Sequence, residues 1–512
     1  MGHALHVPQP AQARQSSVRA DRRRPTTFTE RGINDPHVQH HHTDFNRYSD
    51  RLLGVAPDTK ERVFIISEWL DAYRTNGAPA FAAAQATING RSWPATERLE
   101  YTQGETIRWR WINLSFENHP MHLHGFYFRI NGRSDLLRSE TYRKSADRHW
   151  VNTDWLQVGE TRTISWSAPN RPGRWVVHCH NPYHMRSNFP LESLQSRSFP
   201  FRGTPEFDKL LESTRDMGGM VLGVTIHPKH GKHPVEPREP RRKLELSAEE
   251  APDSTAAVKS YRYMLSGVTD PSEGMRGANL LIVLTRGEPV EIVVRNRLRE
   301  HTTVHWHGIE LASYYDGVHD FGGDARRQVP MIHPGESFAV RFTPPRAGTF
   351  IYHTHMNDAE QQEAGLSGPL IVLRPGQKYD PKRDHIVLVT SPPNLQDQGK
   401  FALVNGVNPP APLMLKAGQR HRLRIINVHS FEVNLSVELK RGAELATWRP
   451  LAKDGRDLPA PRRGARKASQ LVSLGETYDF AFTPAKEGEY ALELSNKQFK
   501  KVLNTIPVRV LR

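Results

Sequence analysis

A chain of 512 residues with 38 Pro, 36 Gly and 9% aromatic residues is long enough for three domains of ordinary size. Its 70 Lys and Arg against 55 Asp and Glu leave a net charge of +15, but apart from short runs such as Arg22-Arg23-Arg24 and Arg241-Arg242-Lys243 the basic residues are spread out, so nucleic acid is not the expected partner. A single cysteine excludes an internal disulfide, and the lack of any run of about 18 apolar residues predicts no membrane span.

Residues 1–58 are polar, rich in Arg and His and without a period, which predicts a disordered or poorly packed arm. Its first part, Met1 to Arg24, shows no apolar stretch of the kind a signal peptide carries. The triplet His40-His41-His42 reads as a solvated loop before it reads as a metal site. From Val63 onward short runs alternate apolar and polar residues between turn residues, the pattern of antiparallel β-structure, and helical periodicity is scarce.

An internal repeat organises this region. Gly104-Glu-Thr-Ile-Arg-Trp-Arg-Trp-Ile-Asn113 recurs as Gly287-Glu-Pro-Val-Glu-Ile-Val-Val-Arg-Asn296 and as Gly418-Gln-Arg-His-Arg-Leu-Arg-Ile-Ile-Asn427, with nine steps from Gly to Asn each time. A second signature follows in each copy: Gly159-Glu-Thr leads to Gly173 and Trp175, Gly335-Glu-Ser to Gly348 and Phe350, and Gly475-Glu-Thr to Gly488 and Tyr490. An all-β chain of three related domains is expected, at residues 59–227, 244–375 and 376–512, with a Pro- and charge-rich linker at 228–243.

The histidines sit in register within the repeat. Counted from the repeat Asn, positions +9 and +11 are His122 and His124 in the first copy, His305 and His307 in the second, and Ser436 and Glu438 in the third. At the second signature His178 and His180 align with His353 and His355, and with Glu493 and Ser495. Two copies carry complete pairs and the third has lost all four, as a metal site shared between two domains would leave behind. Each His-X-His puts two imidazoles on one face of a strand, so four such strands supply eight converging nitrogens, a donor set for copper or zinc.

The lone cysteine lies in Trp175-Val-Val-His-Cys-His-Asn-Pro-Tyr-His-Met185. On a strand Cys179 faces one way and His178 and His180 the other, while Pro182 breaks the strand and lets His184 loop back towards the sulfur. His119, Cys179 and His184 then form a His₂Cys set, the composition of a blue-copper electron-transfer site, and favour copper over zinc for the whole constellation.

The stretches His119-Pro-Met-His-Leu-His-Gly125, His178-Cys-His180 with His184, His305-Trp-His-Gly308 and His353-Thr-His355 resemble the four copper motifs of the multicopper oxidases, including the laccases. The resemblance spans Val63 to Arg512 and implies three cupredoxin-like Greek-key β-sandwich domains. It implies four coppers: a type 1 copper on His119, Cys179 and His184, a type 2 copper on His122 and His305, and a type 3 pair on His180, His307 and His353 and on His124, His178 and His355. Asp316, followed by Gly317, matches the acidic residue that manages protons beside the trinuclear cluster in this family, although an Asp-Gly pair also reads as a plain turn.

The chain departs from the family pattern in three places. The domain with the cysteine comes first, which amounts to a circular permutation of the usual order. Phe189 stands where a Met axial ligand is common, as in many laccases, and Met185 where bacterial relatives often carry an acid. The implied reaction is one-electron oxidation of a reductant at the type 1 copper coupled to reduction of dioxygen to water. Phenolic reductants lead, selected by loops around an exposed edge of His184. A metal-ion oxidase acting on Cu(I), Fe(II) or Mn(II) is second, opposed by only 10 scattered Met, and a non-enzymatic copper-binding cupredoxin is third, opposed by the intact ligand set. A monomer is favoured over a homotrimer, and family resemblance places the protein in the periplasm or outside the cell.

Overall fold

The computed structural model describes residues 61–512, apart from stretches at 76–77, 136, 143, 145–147, 169, 187–188, 191–216, 230–238, 256–257, 267–279, 394–396, 398–399 and 431–433. The N-terminal arm with its His40–His42 triplet and most of the linker at 228–243 lie outside the described residues, as does the side chain of Phe189. Among the described residues nearly every element is a strand, and the strands form three successive pairs of sheets. The fold is all-β, and among the described residues no helix is long and apolar enough to cross a membrane.

Each copy of the repeat builds its sheets in the same way. The repeat strand pairs antiparallel with the strand of the second signature: Thr106–Asn113 with Thr161–Ser167, Val290–Asn296 with Ser337–Phe342, and His421–Asn427 with Thr477–Phe482. On its other side the repeat strand runs parallel to an upstream one, Glu61–Ile66, Arg242–Ala248 or Asp384–Val389. A second parallel ladder lies in each partner sheet, as between Arg98–Thr102 and Gly223–His227. The sheets are therefore mixed, where alternation alone predicted antiparallel pairing. A parallel neighbour arrives by a crossover from the other sheet, and neither residue alternation nor turn residues report a crossover.

Three apolar cores fill the sheet pairs. The first is built on Phe64, Trp109, Trp166 and Trp175, the second on Trp306, Phe350 and Tyr352, and the third on Trp448 and Phe480. Smaller clusters join them. Leu281, Ile351 and Ile371 of the second copy pack with Ile386, Leu388 and Ile426 of the third, while Val176, Met185 and Val221 of the first pack with Val318 of the second.

The repeat asparagines explain why the two signatures travel together. Asn113, Asn296 and Asn427 are wholly buried. Their backbone N–H groups donate to the carbonyls of Glu160, Glu336 and Glu476, and their own carbonyls accept from Gly159, Gly335 and Gly475. Each side chain bridges outward: Asn427 Nδ2 donates to Val472 O at 2.9 Å, and its Oδ1 accepts from His429 N at 3.0 Å. Removing such a side chain strands two buried backbone groups at about 1–3 kcal/mol each. Asn427→Ala should therefore lower the melting temperature by several degrees without changing the copper bound per chain, as metal analysis of the purified variant would show.

Candidate metal centres

The strand Gly173–Cys179 lies between His119–Leu123 and Val221–His227, with His178 opposite His122. Pro182 opens the short helix Pro182–Met185, where its missing N–H costs nothing, and Asn181 caps it by accepting from Tyr183 N. That turn returns His184 to the sulfur. Cys179 Sγ is 3.5 Å from His119 Nδ1 and 3.4 Å from His184 Nδ1, and the two ring nitrogens are 3.0 Å apart. No edge of His184 is exposed, contrary to expectation: its exposure is 0%. Glu117 Oε2 lies 2.7 Å from His184 Nε2, and Glu68 Oε1 lies 3.8 Å from the same atom and 3.7 Å from His119 Nε2.

On the opposite side of the strand eight buried imidazoles meet. His124 Nε2 is 2.8 Å from His178 Nε2, His180 Nε2 is 3.1 Å from His307 Nδ1, and His122 Nε2 is 3.4 Å from His305 Nε2. The donor atoms of His180, His307 and His353 lie within 4.8 Å of one another, and the same holds for His122, His305 and His307 and for His122, His124 and His178. The ring of His355 is centred 5.0 Å from that of His124 and 5.4 Å from that of His178. All eight predicted residues are thus brought together in one chain.

Their carriers are not four strands, however. His305-Trp306-His307 is an irregular segment held to the His353 strand by a two-bond bridge, His305 N to His353 O at 2.7 Å and back at 3.1 Å. The buried Trp306 anchors it in the second core, and the turn at Gly308 has no room for a side chain, since a Cβ there would lie 2.4 Å from Asn152 Nδ2. In the third copy Ser436 pairs with Ser495 and Glu438 with Glu493, so no imidazole occupies the corresponding places.

Two segments match family profiles described as multicopper oxidase, residues 70–196 with the cysteine and residues 278–377. These two segments are multicopper oxidase domains. The chain is 34% identical over 105 residues to a copper resistance protein A homolog of Pseudomonas syringae pv. tomato, covering 20% of this chain and 16% of that protein. It is 30% identical over 191 residues to the multicopper oxidase MmcO of Mycobacterium tuberculosis, covering 29% and 36%. With Laccase-1 of Emericella nidulans the identity is 35% over 118 residues, 23% of this chain and 18% of that one. The chain therefore spans well under half the length of these curated relatives. Among solved structures, the blue copper oxidase of Nitrosomonas europaea is 21% identical with a TM-score of 0.41, covering 52% of this chain and 86% of that chain.

Copper is the metal of this family, and the donor chemistry fits it. Most of the rings spend one nitrogen on an outer partner, which leaves the other lone pair facing inward. His119 Nε2 meets Ser115 Oγ at 2.6 Å, and His124 Nδ1 meets Asp316 Oδ2 at 2.7 Å. His122 Nδ1 donates to Asn152 O at 2.9 Å, His305 Nδ1 to Asp316 O at 2.8 Å, His178 Nδ1 to Cys179 O at 2.8 Å and His353 Nδ1 to Thr354 O at 2.6 Å. Within the eight-imidazole cluster His307 is turned over relative to these rings, with Nε2 on Thr153 Oγ1 at 3.2 Å and Nδ1 inward. His353 Nε2 and both nitrogens of His355 are buried without a hydrogen-bond partner, as donors to a metal would be. Asp316 is both turn and site: its carboxylate touches His124, and a Cβ on Gly317 would lie 2.1 Å from Val304 O.

Sequence reasoning missed Glu68 and Glu117. A signal for the first was present, because Phe64 and Ile66 face inward and Glu68 continues the same face of the strand. Burial pushes Glu68 up to about 7.

Burial and the crowding of like rings hold His122, His124, His180, His307, His353 and His355 well below the ordinary imidazole value, and burial brings His178 down to about 4. His184 goes the other way: burial lowers it, but the Cys179 sulfur and the Glu117 carboxylate outweigh burial. Rings with depressed values are neutral in the fold and protonate on unfolding, so their contribution is complete above 6.5 and is lost as pH falls towards 4. His184 and Glu68, whose values rise, oppose this but are outnumbered. The metal-free protein should accordingly lose stability steeply between pH 6.5 and 4, by about 1.4 kcal/mol per pH unit for each net proton taken up on unfolding. Denaturant melts across that range measure it, and a flat profile would contradict the assignment.

Proposed function

We propose that the chain is a dioxygen-reducing copper oxidase that holds four coppers, with His119, Cys179 and His184 for type 1, His122 and His305 for type 2, and His180, His307, His353 and His124, His178, His355 for the type 3 pair. One observation carries this reading: Cys179 faces His119 and His184, while its neighbours His178 and His180 enter the eight-imidazole cluster. Copper, when bound, supplies one-electron redox chemistry at the first site and the four-electron reduction of dioxygen to water at the second. The Cys179 sulfur and the peptide that joins it to His178 and His180 form a short covalent route for electrons between the two. Asp316 Oδ2 accepts from His124 Nδ1–H and is the carboxylate closest to where protons are consumed. Residues 59–227, 244–375 and 376–512 form three domains, of which the first two hold the metals. Both halves of the cluster meet within one chain, which favours a monomer, and the relatives' copper resistance names support a periplasmic or extracellular site of action.

For the reductant, resemblance to laccases favours phenols. A metal-ion reductant is the second reading, favoured by Glu68 and Glu117 at the Nε2 atoms of His119 and His184, where two carboxylates would hold a cation against the electron entry point.

The copper-loaded protein should be blue, and Cys179→Ser should lose the colour, one of four coppers and essentially all oxidase activity while keeping its fold by circular dichroism. Phenol oxidation at the parental rate in that variant would overturn the electron route. Glu117→Gln separates the reductants. For a metal-ion oxidase it should raise KM for Fe(II) about tenfold, a loss of about 1.4 kcal/mol, and leave the KM of a neutral phenol unchanged. For a phenol oxidase the variant's Fe(II) kinetics should follow those of the parent.

A further inference from the structure

Among the described residues the third copy of the repeat supplies none of the eight clustered imidazoles, yet it reaches the cluster. Its hairpin of Thr447–Lys453 and Arg456–Asp457 closes through a two-residue turn, Asp454-Gly455, with both residues left-handed at φ +50° and +70°. The turn is wedged between the other two copies. Tyr127 Oη of the first copy donates to Asp454 O. A Cβ on Gly455 would lie 2.4 Å from the Phe350 ring of the second, and a Cβ on Gly348 would lie 2.4 Å from Gly455 O. A buried ion pair, Lys453 Nζ to Glu476 Oε1 at 2.6 Å, with Asp154 Oδ1 at 3.5 Å, anchors the base of the hairpin across the boundary with the first copy.

The Asp454 side chain, 2% exposed, spends both oxygens on backbone amides. Oδ1 accepts from Thr477 N at 3.1 Å within its own copy. Oδ2 accepts from Asn152 N and Thr153 N, both at 3.3 Å, in the first copy. Those two residues hold the outer nitrogens of two cluster histidines from different copies. Asn152 O and Thr153 Oγ1 meet His122 Nδ1 at 2.9 and 3.0 Å, and Thr153 Oγ1 also meets His307 Nε2 at 3.2 Å. One carboxylate thus fixes the dipeptide that sets both rings. Gly475, also of the third copy, lies against a third ring, since a Cβ there would lie 2.7 Å from His180.

We propose that Asp454 is a positioning residue for the trinuclear centre: by holding the amides of Asn152 and Thr153, it makes the metal-free third domain the part that orients His122 and His307. The proposal rests on the reading of the eight-imidazole cluster as a copper site. It excludes a direct role for Asp454 in electron entry, because none of its contacts reaches His119, Cys179 or His184.

The type 1 copper is the internal reference for the test. Copper-loaded wild type, Asp454→Ala, Asp454→Asn and Thr153→Val are compared by copper per chain, blue absorbance, the type 2 electron paramagnetic resonance signal and the rate of copper release to a chelator. Asp454→Ala should release type 2 copper at least about tenfold faster, the usual effect of losing an outer-shell partner, with an altered type 2 signal and unchanged blue absorbance. Asp454→Asn, which keeps an acceptor oxygen, should recover most of the wild-type behaviour, and Thr153→Val should reproduce the selective loss even if Asp454→Ala fails to fold. Wild-type release and an unchanged signal in Asp454→Ala or Thr153→Val overturn the proposal, as does parallel loss of both centres. A wild-type chain that takes up only the blue copper overturns the cluster reading, and this proposal with it.

Discussion

The structure depends on a tautomer constraint. Imidazoles crowded together and shut away from water are held towards the neutral form unless anions face them, as at His184, and a neutral ring has one donor nitrogen and one acceptor. For the lone pairs to converge, each N–H must be taken up outside the cluster. The chain does this mostly with backbone carbonyls, those of Asn152, Asp316, Cys179 and Thr354, which move only when the backbone moves. His124 and His307 use side chains instead, Asp316 and Thr153, at the places where one copy reaches into another, while the outward nitrogens of His180 and His355 have no hydrogen-bond partner.

The same constraint accounts for the roles of the three copies. Two copies each provide four imidazoles, and neither can complete a cluster alone. The third has exchanged its imidazoles for Ser436, Glu438, Glu493 and Ser495, yet its Asp454-Gly455 turn and Gly475 form part of the wall behind His122, His307 and His180. A buried ion pair such as Lys453 with Glu476 is a poor source of stability, because desolvation cancels most of the attraction. Its value here is geometric, as it fixes a hairpin whose tip carries the carboxylate that orients the dipeptide.

On the other side of the Cys179 strand the chemistry is closed differently. Glu68 and Glu117 cover the nitrogens of His119 and His184 that face away from the sulfur, a local acidity that the scattered basic composition of the chain does not suggest.

Much of this was legible in the residues. The threefold repeat marked three sheet pairs, the in-register His-X-His pairs named the cluster, and the lone cysteine between two histidines named the strand that joins the sites. These features are local, set by side-chain alternation and fixed spacing along one segment, so they survive without coordinates. What alternation could not report are relations between segments far apart in the chain. The parallel ladders come from crossovers, and Glu68 closes over His184 from a hairpin more than a hundred residues upstream. His305-Trp306-His307 is held by a bridge rather than a strand. Asp454 is an ordinary Asp-Gly hairpin turn in sequence, and only packing three sandwiches together sets its carboxylate against Asn152 and Thr153, because a hydrogen bond across 301 residues leaves no period to read.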